Sequence, residues 1–209
     1  MTSSIGNGTG RDPVTDHLLT PQNSAVVVID YQPSQFQTVT SIDHQVLTDN
    51  IVSVARLAKA FNLPVVLSTV GVSTRGQAPT IPELRAVLED SPEIDRTEIN
   101  SWENEEFRRA VEATGRKKLI MTALWTEVCL AFPALDALRE GFEVYPVVDA
   151  VGGTSPEAHR AGLERVVRAG AQPIGWVSMA CELQRDWARI DTVPDVVDIV
   201  LTSRLLKAA

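Results

Sequence analysis

A strand pattern of apolar residues changes into a helical pattern within the segment Leu119-Ile120-Met121-Thr122-Ala123-Leu124-Trp125-Thr126-Glu127-Val128-Cys129-Leu130-Ala131-Phe132. Its first half is a short apolar run typical of a buried strand, and its second half has helical spacing. Cys129 lies at the junction between them. A helix dipole at this position lowers a cysteine pKa below the ~8.5 of a free thiol. The position therefore favours a nucleophile, and the alternative is a buried cysteine that acts as a small hydrophobe.

Similar β-branched runs recur along the chain and alternate with segments that have an apolar stripe at helical spacing. This alternation predicts a three-layer α/β/α sandwich around a mainly parallel sheet of about six strands. The helical segments are predicted at 47–61, 100–115 and 155–169. The strands are predicted at 25–30, 64–69, 118–124, 143–149 and 171–177, with a weaker one near 94–99.

Length and composition indicate a single globular domain of 209 residues. Acidic residues outnumber basic ones by 27 to 19, and the formal net charge of -8 argues against binding to nucleic acid or to an anionic membrane surface. The two cysteines, Cys129 and Cys181, form no disulfide framework, which predicts a cytoplasmic protein in which Cys181 is structural. No apolar run approaches the ~20 residues that cross a bilayer.

The chain is predicted to divide into three parts. Residues 1–14 are rich in Ser, Gly and Thr, and we expect a flexible tail there. Residues 15–190 hold the predicted strands and form the main domain. Residues 191–209 form a C-terminal extension whose apolar residues belong either to an oligomer contact or to a last helix packed on the same core.

Asp30 is the strongest candidate for a base. It follows the fully apolar run Val26-Val27-Val28-Ile29 and so lies at the carboxyl ends of the strands, where parallel sheets bind ligands. Burial there raises a carboxyl pKa and makes the group a usable base. The alternative is an aspartate that caps the following loop.

Histidine is scarce. The chain has only His17, His44 and His159, and none follows a strand at this edge. A Cys-His or Ser-His arrangement and a multi-histidine metal site are therefore disfavoured.

Three blocks of sequence, taken together with Asp30, resemble the isochorismatase-like cysteine hydrolase superfamily and, within it, the YcaC-like branch. The resemblance covers roughly residues 24–187. The blocks are Asn100-Ser101-Trp102-Glu103-Asn104-Glu105, Thr126-Glu127-Val128-Cys129 with Ala131-Phe132-Pro133-Ala134, and Ala180-Cys181-Glu182-Leu183 with Arg185-Asp186-Trp187.

The resemblance implies a catalytic triad of Asp, Lys and Cys. Asp30 and Cys129 match its first and last members, whereas the position of the lysine falls on Arg96. Arginine keeps a positive charge that steadies Asp30 and a substrate oxygen, but it is larger and always protonated. The alternative is a surface ion pair of Arg96 with Asp95 or Glu98.

The resemblance also implies a cis peptide before the motif threonine, between Trp125 and Thr126. It implies an oxyanion site built from the backbone of residues 125–129, with the N–H groups of Val128 and Cys129 as the main donors. Trp125 is larger than the aliphatic residue that is commoner there, and it either lines the substrate pocket or fills the core.

The related nicotinamidases bind a metal through an aspartate and histidines in the segment that matches residues 69–79. That segment contains no histidine or acidic residue here, so we expect no metal and no cofactor. Arg75 lies in it, and either binds an anionic group of the substrate or is an exposed loop residue.

The combined prediction is a metal-independent cysteine hydrolase that acts on a small amide or other C–N substrate through a thioacyl intermediate. A catalytically impaired ligand-binding or assembly protein on the same scaffold is the main alternative. An aspartyl phosphotransfer protein is a weaker one, because no acidic cluster for Mg²⁺ surrounds Asp30. The resemblance implies a homo-oligomer, with an octamer expected from the YcaC-like branch.

Overall fold

The computed structural model describes residues 11–202, and its centre is a five-stranded, wholly parallel sheet. Val26 on the central strand lies opposite Val65 on one side and Ile120 on the other. The strands are β1 (Ser24–Ile29), β2 (Val65–Val70), β3 (Glu93–Arg96), β4 (Lys118–Ala123) and β5 (Glu143–Pro146), in the order β3-β2-β1-β4-β5.

Helices connect the strands and cover both faces of the sheet. A 3-10 helix, Ser101–Glu103, precedes the fifth helix, and a π-helical turn, Thr126–Leu130, precedes the sixth. This π turn carries Cys129 and is called the nucleophile turn below. The α-helices are α1 (Pro33–Phe36), α2 (His44–Ala60), α3 (Val72–Arg75), α4 (Pro82–Val87), α5 (Glu105–Ala113), α6 (Ala131–Arg139), α7 (Pro156–Arg168), α8 (Trp176–Gln184) and α9 (Val193–Thr202).

The side chains of β1 alternate between two hydrophobic cores. Val26 and Val28 pack in the core covered by α2, α4, α8 and α9, whereas Val27 and Ile29 pack in the core covered by α5, α6 and α7. Because successive strand residues point to opposite faces, a strand buried on both sides is apolar throughout. The predicted three-layer α/β/α sandwich is therefore confirmed.

The strand predictions are confirmed except for the last one. The weak strand near 94–99 exists as β3. Residues 171–177 form no strand: Ile174 makes a single bridge to Val147, and helix α8 begins at Trp176. Pro173 has no N–H to give to a ladder, and Asp149 Oδ1 accepts the Trp176 N–H at 3.0 Å, which turns the chain into the helix. The sheet consequently has five strands instead of about six.

The three predicted helices are present, with one change. Helices α2 and α7 occupy the predicted segments. The predicted helix at 100–115 is divided: Asn100 caps only the short 3-10 helix, and Asn104 caps α5 through the Phe107 N–H at 2.9 Å. An N-terminal asparagine at each start explains why one segment holds two elements.

The two ends of the chain are only partly described. Most of the predicted 1–14 tail and residues 203–209 of the predicted extension lie outside the described residues. Within the extension, Val196 and Ile199 of α9 are buried in the same core as α2. None of the helices between residues 11 and 202 has the length and apolar character to cross a membrane.

Candidate active site

Asp30 lies directly after β1, at the carboxyl edge of the sheet. Its φ of 61° is unusual for a residue other than glycine, and it takes the chain away from the sheet. The side chain is fully buried, and Arg96 Nη2 donates to its Oδ2 at 2.5 Å. Its Oδ1 has no hydrogen-bond partner of normal geometry among residues 11–202. A buried acceptor without a donor is uncommon in folded proteins and is a feature of reactive sites.

Arg96 is the last residue of β3 and reaches across β2 to Asp30. Its Nε donates to Ser68 Oγ on β2 at 3.2 Å, and its Nη1 donates to the main-chain carbonyl of Glu98. The guanidinium is completely buried. The alternative of a surface ion pair is therefore wrong. Its three nitrogens are thus engaged by Asp30, Ser68 and Glu98.

Cys129 is brought to Asp30 because β4 pairs with β1. The nucleophile turn follows β4, so it starts at the same sheet edge at which Asp30 ends β1. Cys129 is 7% exposed, and its thiol is close enough to the Asp30 carboxylate for each group to shift the pKa of the other. The structure thus brings together the three predicted catalytic side chains, Asp30, Arg96 and Cys129.

The two pKa values describe the resting state of this pair. Burial raises the pKa of Asp30 to about 6, although the charge of Arg96 and the Cys129 thiol lower it in part. Burial and the Asp30 charge raise the pKa of the Cys129 thiol to about 12. The predicted lowering of the thiol pKa is wrong for this state, because desolvation outweighs the helix dipole. At neutral pH the site holds a thiol beside a carboxylate that is able to accept its proton.

The backbone of residues 124–129 differs from the prediction in one detail. The cis peptide joins Leu124 and Trp125, one residue before the predicted position. The N–H groups of Thr126 and Val128 donate to the carbonyls of Gly152 and Trp125, at 2.9 and 3.2 Å. The Trp125 N–H faces the Cys129 sulfur and lowers its pKa in part, and within the part of the chain that is described the Cys129 N–H has no backbone acceptor outside its own turn.

The two predicted substrate-binding residues lie at the same sheet edge. The Trp125 indole is partly buried, and its Nε1 donates to Thr38 Oγ1 at 2.8 Å and to the Gln35 carbonyl at 3.3 Å. Arg75 is exposed at the end of α3, and its aliphatic stem lies over Gly71. Trp125 is therefore held by the segment after β1, whereas Arg75 lies in the loop after β2.

Three polar residues of this region were missed by sequence reasoning. Ser68 receives Arg96 Nε, and buried Gln32 ties the chain after β1 to the carbonyls of Val70 and Ala78. Asp95 accepts the N–H groups of Val72 and Ser73. Of the three, only Gln32 could have been found from the sequence, because it lies two residues after Asp30.

Asp95 places an acidic group beside the segment 69–79, which has none of its own. Burial would raise its pKa, but hydrogen bonds from Ser73, Val72 and Thr69 lower it to about 2. The Asp95 carboxylate thus caps the start of α3. Among residues 11–202, no group of three or more His, Cys, Asp or Glu side chains is placed to hold a metal ion.

A family model for the isochorismatase domain matches residues 24–178, which includes all five strands of the described sheet and the residues Asp30, Arg96 and Cys129. The chain belongs to the isochorismatase family. Within this family it is 42% identical over 170 residues to the probable hydrolase YcaC of Escherichia coli K12, covering 81% of each chain. The isochorismatase fold is also shared with two solved YcaC structures.

One of these is YcaC from Pseudomonas aeruginosa with hexane-2,5-diol and covalent acrylamide. The present chain superposes on it with a TM-score of 0.86 and 37% identity, covering 93% of this chain and 94% of that one. The other is the YcaC gene product of E. coli, described as an octameric hydrolase of unknown specificity, with a TM-score of 0.82, 39% identity and coverage of 88% and 91%. The predicted resemblance to the YcaC-like branch of the isochorismatase family is confirmed.

Proposed function

We propose that this chain is a metal-independent cysteine hydrolase that acts on a small amide or other C–N substrate through a thioacyl intermediate. The observation that carries the proposal is the buried Asp30 carboxylate, bound on one side by Arg96 and adjacent to the Cys129 thiol. A nucleophile beside a base that a third group orients is the arrangement that covalent catalysis needs. The segment 69–79 offers no histidine or acidic side chain as a metal ligand.

In the first half-reaction Asp30 takes the thiol proton as Cys129 Sγ attacks the carbonyl carbon, so a C–S bond forms and the carbonyl oxygen becomes an oxyanion. The N–H group of Cys129 is the donor we assign to this oxyanion, because those of Thr126 and Val128 already bind protein carbonyls and that of Trp125 faces the Cys129 sulfur. Asp30 then protonates the departing nitrogen. The C–N bond breaks, and ammonia or an amine leaves a thioester on Cys129.

In the second half-reaction Asp30 takes a proton from water, and the hydroxide attacks the thioester carbon. The C–O bond forms, the C–S bond breaks, and the proton held by Asp30 returns to Cys129. The sum is an amide and water giving a carboxylic acid and ammonia or an amine. The pKa of about 6 suits Asp30 to both proton transfers near neutral pH.

Two further features support a reactive thiol and a bounded pocket. Acrylamide is covalently bound in the Pseudomonas relative, which supports a group in this family that reacts with small electrophiles. We assign Trp125 to one wall of the substrate pocket, because its indole is fixed by Thr38 and Gln35 beside the nucleophile turn. Arg75 is assigned to an anionic part of the substrate, reached from the loop after β2.

The alternative, a catalytically impaired ligand-binding or assembly protein, has one observation in its favour. The pKa of Cys129 is raised to about 12, so the resting thiol is protonated and buried. The two functions differ in whether Asp30 activates this thiol.

Ammonia release from a panel of small primary amides, together with intact-protein mass spectrometry, tests the proposal. We expect the parent protein to turn over at least one amide, and Cys129→Ala to reduce turnover by at least about 10³-fold. Cys181→Ala, a change at the exposed cysteine, is the matched control and keeps full turnover. Full turnover by Cys129→Ala would show that no thioacyl intermediate forms.

The proposal also covers the oligomeric state of the protein and its location. We propose a homo-oligomer, because the E. coli relative is an octamer, and place contacts on the apolar residues Trp187, Ile190 and Leu201, which are 63%, 71% and 50% exposed. Light scattering is expected to give a mass well above 22.8 kDa, and Leu201→Asp to lower it. The division at residue 190 and a cytoplasmic location remain predictions.

A further inference from the structure

Helix α7 packs against the nucleophile turn. A methyl group added at Gly162 would meet the Glu127 Cα at 2.8 Å, the Glu127 nitrogen at 3.0 Å and the Thr126 carbonyl carbon at 3.1 Å. All three are backbone atoms, which cannot move aside as the end of a flexible side chain does. Any side chain at this position therefore displaces the nucleophile turn.

One turn earlier on the same helix, His159 contacts the first residue of the nucleophile turn. Its Nδ1 lies 2.9 Å from Thr126 Oγ1, and Thr126 is fully buried. The Thr126 N–H donates to the Gly152 carbonyl at 2.9 Å, so both the side chain and the main chain of this residue are fixed. Cys129 follows one turn later, and its position depends on where Thr126 is held.

The segment after β5 completes this arrangement. Glu127 Oε1 accepts from the N–H and the hydroxyl of Thr154, at 3.0 and 2.6 Å. A methyl group at Gly153 would lie 2.7 Å from Glu127 Oε2 and 2.9 Å from the His159 Cβ, so these groups are tightly packed. Hydrogen bonds thus hold the nucleophile turn in place at its first two residues, Thr126 and Glu127.

We propose that His159 is a positioning residue, which through its bond to Thr126 fixes the nucleophile turn so that the Cys129 thiol meets the Asp30 carboxylate. The inference rests on the proposed function, because it concerns how the nucleophile and base are aligned. His159 itself touches neither group. A displacement of about 1 Å between a nucleophile and its base lowers the rate strongly. The bond at Thr126, three positions before Cys129, therefore has a measurable effect on the rate.

Alkylation of Cys129 by iodoacetamide tests the inference without a known substrate. All variants carry Cys181→Ser, because Cys181 is exposed and would react as well. His159→Asn keeps a polar atom near the place of Nδ1, whereas His159→Gln moves it to the place of Nε2. We expect His159→Gln and Thr126→Val each to lower the second-order rate constant about tenfold, and His159→Asn and Thr126→Ser to stay within twofold of the parent.

Two further variants separate positioning from general stability. His44→Asn removes a different histidine bond, that of Nε2 to the Val39 carbonyl at 2.8 Å, because asparagine places its polar atom near Nδ1 instead, and this variant is expected to react like the parent. Gly162→Ala pushes on the turn directly and is expected to lower the rate about tenfold. The double variant of His159→Gln and Thr126→Val is expected to react no more slowly than either single one, because both remove the same bond.

The inference is overturned if His159→Gln and Thr126→Val are alkylated as fast as the parent, whether or not their midpoints of urea unfolding change. His159 would then be a packing residue. Multiplying effects in the double variant would also overturn it. Asp30→Asn in the same series reports on the proposed function alone: if it reacts as fast as the parent, Asp30 is not the base. The ratio of the alkylation rate constants of the His159 variants and the parent does not depend on the Asp30→Asn result.

Discussion

The two ends of the sheet each contain a buried cation, and they use it differently. At the carboxyl edge Arg96 is paired with Asp30, both side chains are fully buried, and the Cys129 thiol lies beside the carboxylate. At the amino edge Lys118 donates to the His17 carbonyl, to Tyr145 Oη and to Glu143, at 2.6, 3.0 and 3.3 Å.

The difference lies in the acidic partner. Glu143 is 47% exposed, so water solvates its carboxylate, and the three contacts of Lys118 satisfy the ammonium. The Asp30 side chain is fully buried, and its pKa is raised to about 6 in spite of the arginine. We propose that the ion pair at the amino edge stabilises the fold, whereas the pair at the carboxyl edge holds a base beside a thiol. Five predictions test this difference.

The largest effect is expected for stability when the cations are removed. Arg96→Met leaves the Asp30 carboxylate buried without a counter-charge, and we expect a loss of about 3–5 kcal/mol in the free energy of unfolding at pH 7.5. Lys118→Met, the matched change, leaves Glu143 solvated and is expected to lose about 1–2 kcal/mol. Urea unfolding measures both.

The same pair of variants gives a check on the cause. At pH 5 the Asp30 of Arg96→Met is protonated and carries no charge, so its loss of stability relative to the parent is expected to be smaller than at pH 7.5. An equal loss at both pH values would mean that packing of the guanidinium, and not the charge of Asp30, stabilises this edge.

The next effect concerns the base. Asp30→Asn removes the proton acceptor of Cys129, and we expect the rate of Cys129 alkylation and of any amide turnover to fall by about 10²-fold or more. Glu143→Gln removes the carboxylate at the other edge and leaves both rates unchanged. Stopped-time alkylation in the Cys181→Ser background measures the ratio.

The pH dependence of alkylation is the third test. Asp30 must be ionised to accept the thiol proton, and its pKa is about 6. The rate is therefore expected to rise by about tenfold between pH 5 and pH 7, with a midpoint near 6. The Asp30→Asn variant is expected to lose this midpoint, and a midpoint retained in that variant would assign it to another group.

Stability responds to the same titration with the opposite trend. A carboxyl group whose pKa is higher in the folded state stabilises the protein below its unfolded pKa of about 3.9, and this contribution is lost as pH rises toward 6. The parent is expected to lose this contribution between about pH 4 and 6, and Asp30→Asn is expected to lack it. A parent and a variant with parallel pH profiles of stability would contradict the raised pKa.

The smallest effect is expected for Glu143→Gln itself. An ion pair with an exposed partner contributes about 0–1 kcal/mol, and the Lys118 ammonium keeps its bonds to Tyr145 and the His17 carbonyl. Unfolding in urea at low and high salt checks this, since a screened surface pair weakens with salt. A loss as large as that of Arg96→Met would show that the two edges are equivalent.

The sequence predicted the meeting of Asp30 and Cys129 for a simple physical reason. Parallel strands end at one edge, so residues that follow two such strands lie close together. Arg96 was placed by the resemblance to the family alone. Its path across β2 to Asp30 depends on the register of three strands, which no local pattern in the sequence contains.

The errors came from effects that depend on distant parts of the chain. The pKa of Cys129 was predicted from a local helix start, but burial by the surrounding core raises it. Residues 171–177 have the composition of a strand, but Asp149 caps a helix there from 27 residues away. The bond of His159 to Thr126 spans 33 residues and had no signal in either segment.

The separation of the triad along the chain has a consequence during translation. Asp30 and Arg96, 66 residues apart, leave the ribosome well before Cys129. Until β4 has inserted beside β1, the thiol of a growing chain has no carboxylate next to it. A partly synthesised chain therefore carries a cysteine with an ordinary thiol pKa, and the raised pKa values of Asp30 and Cys129 arise only when β1 and β4 have paired.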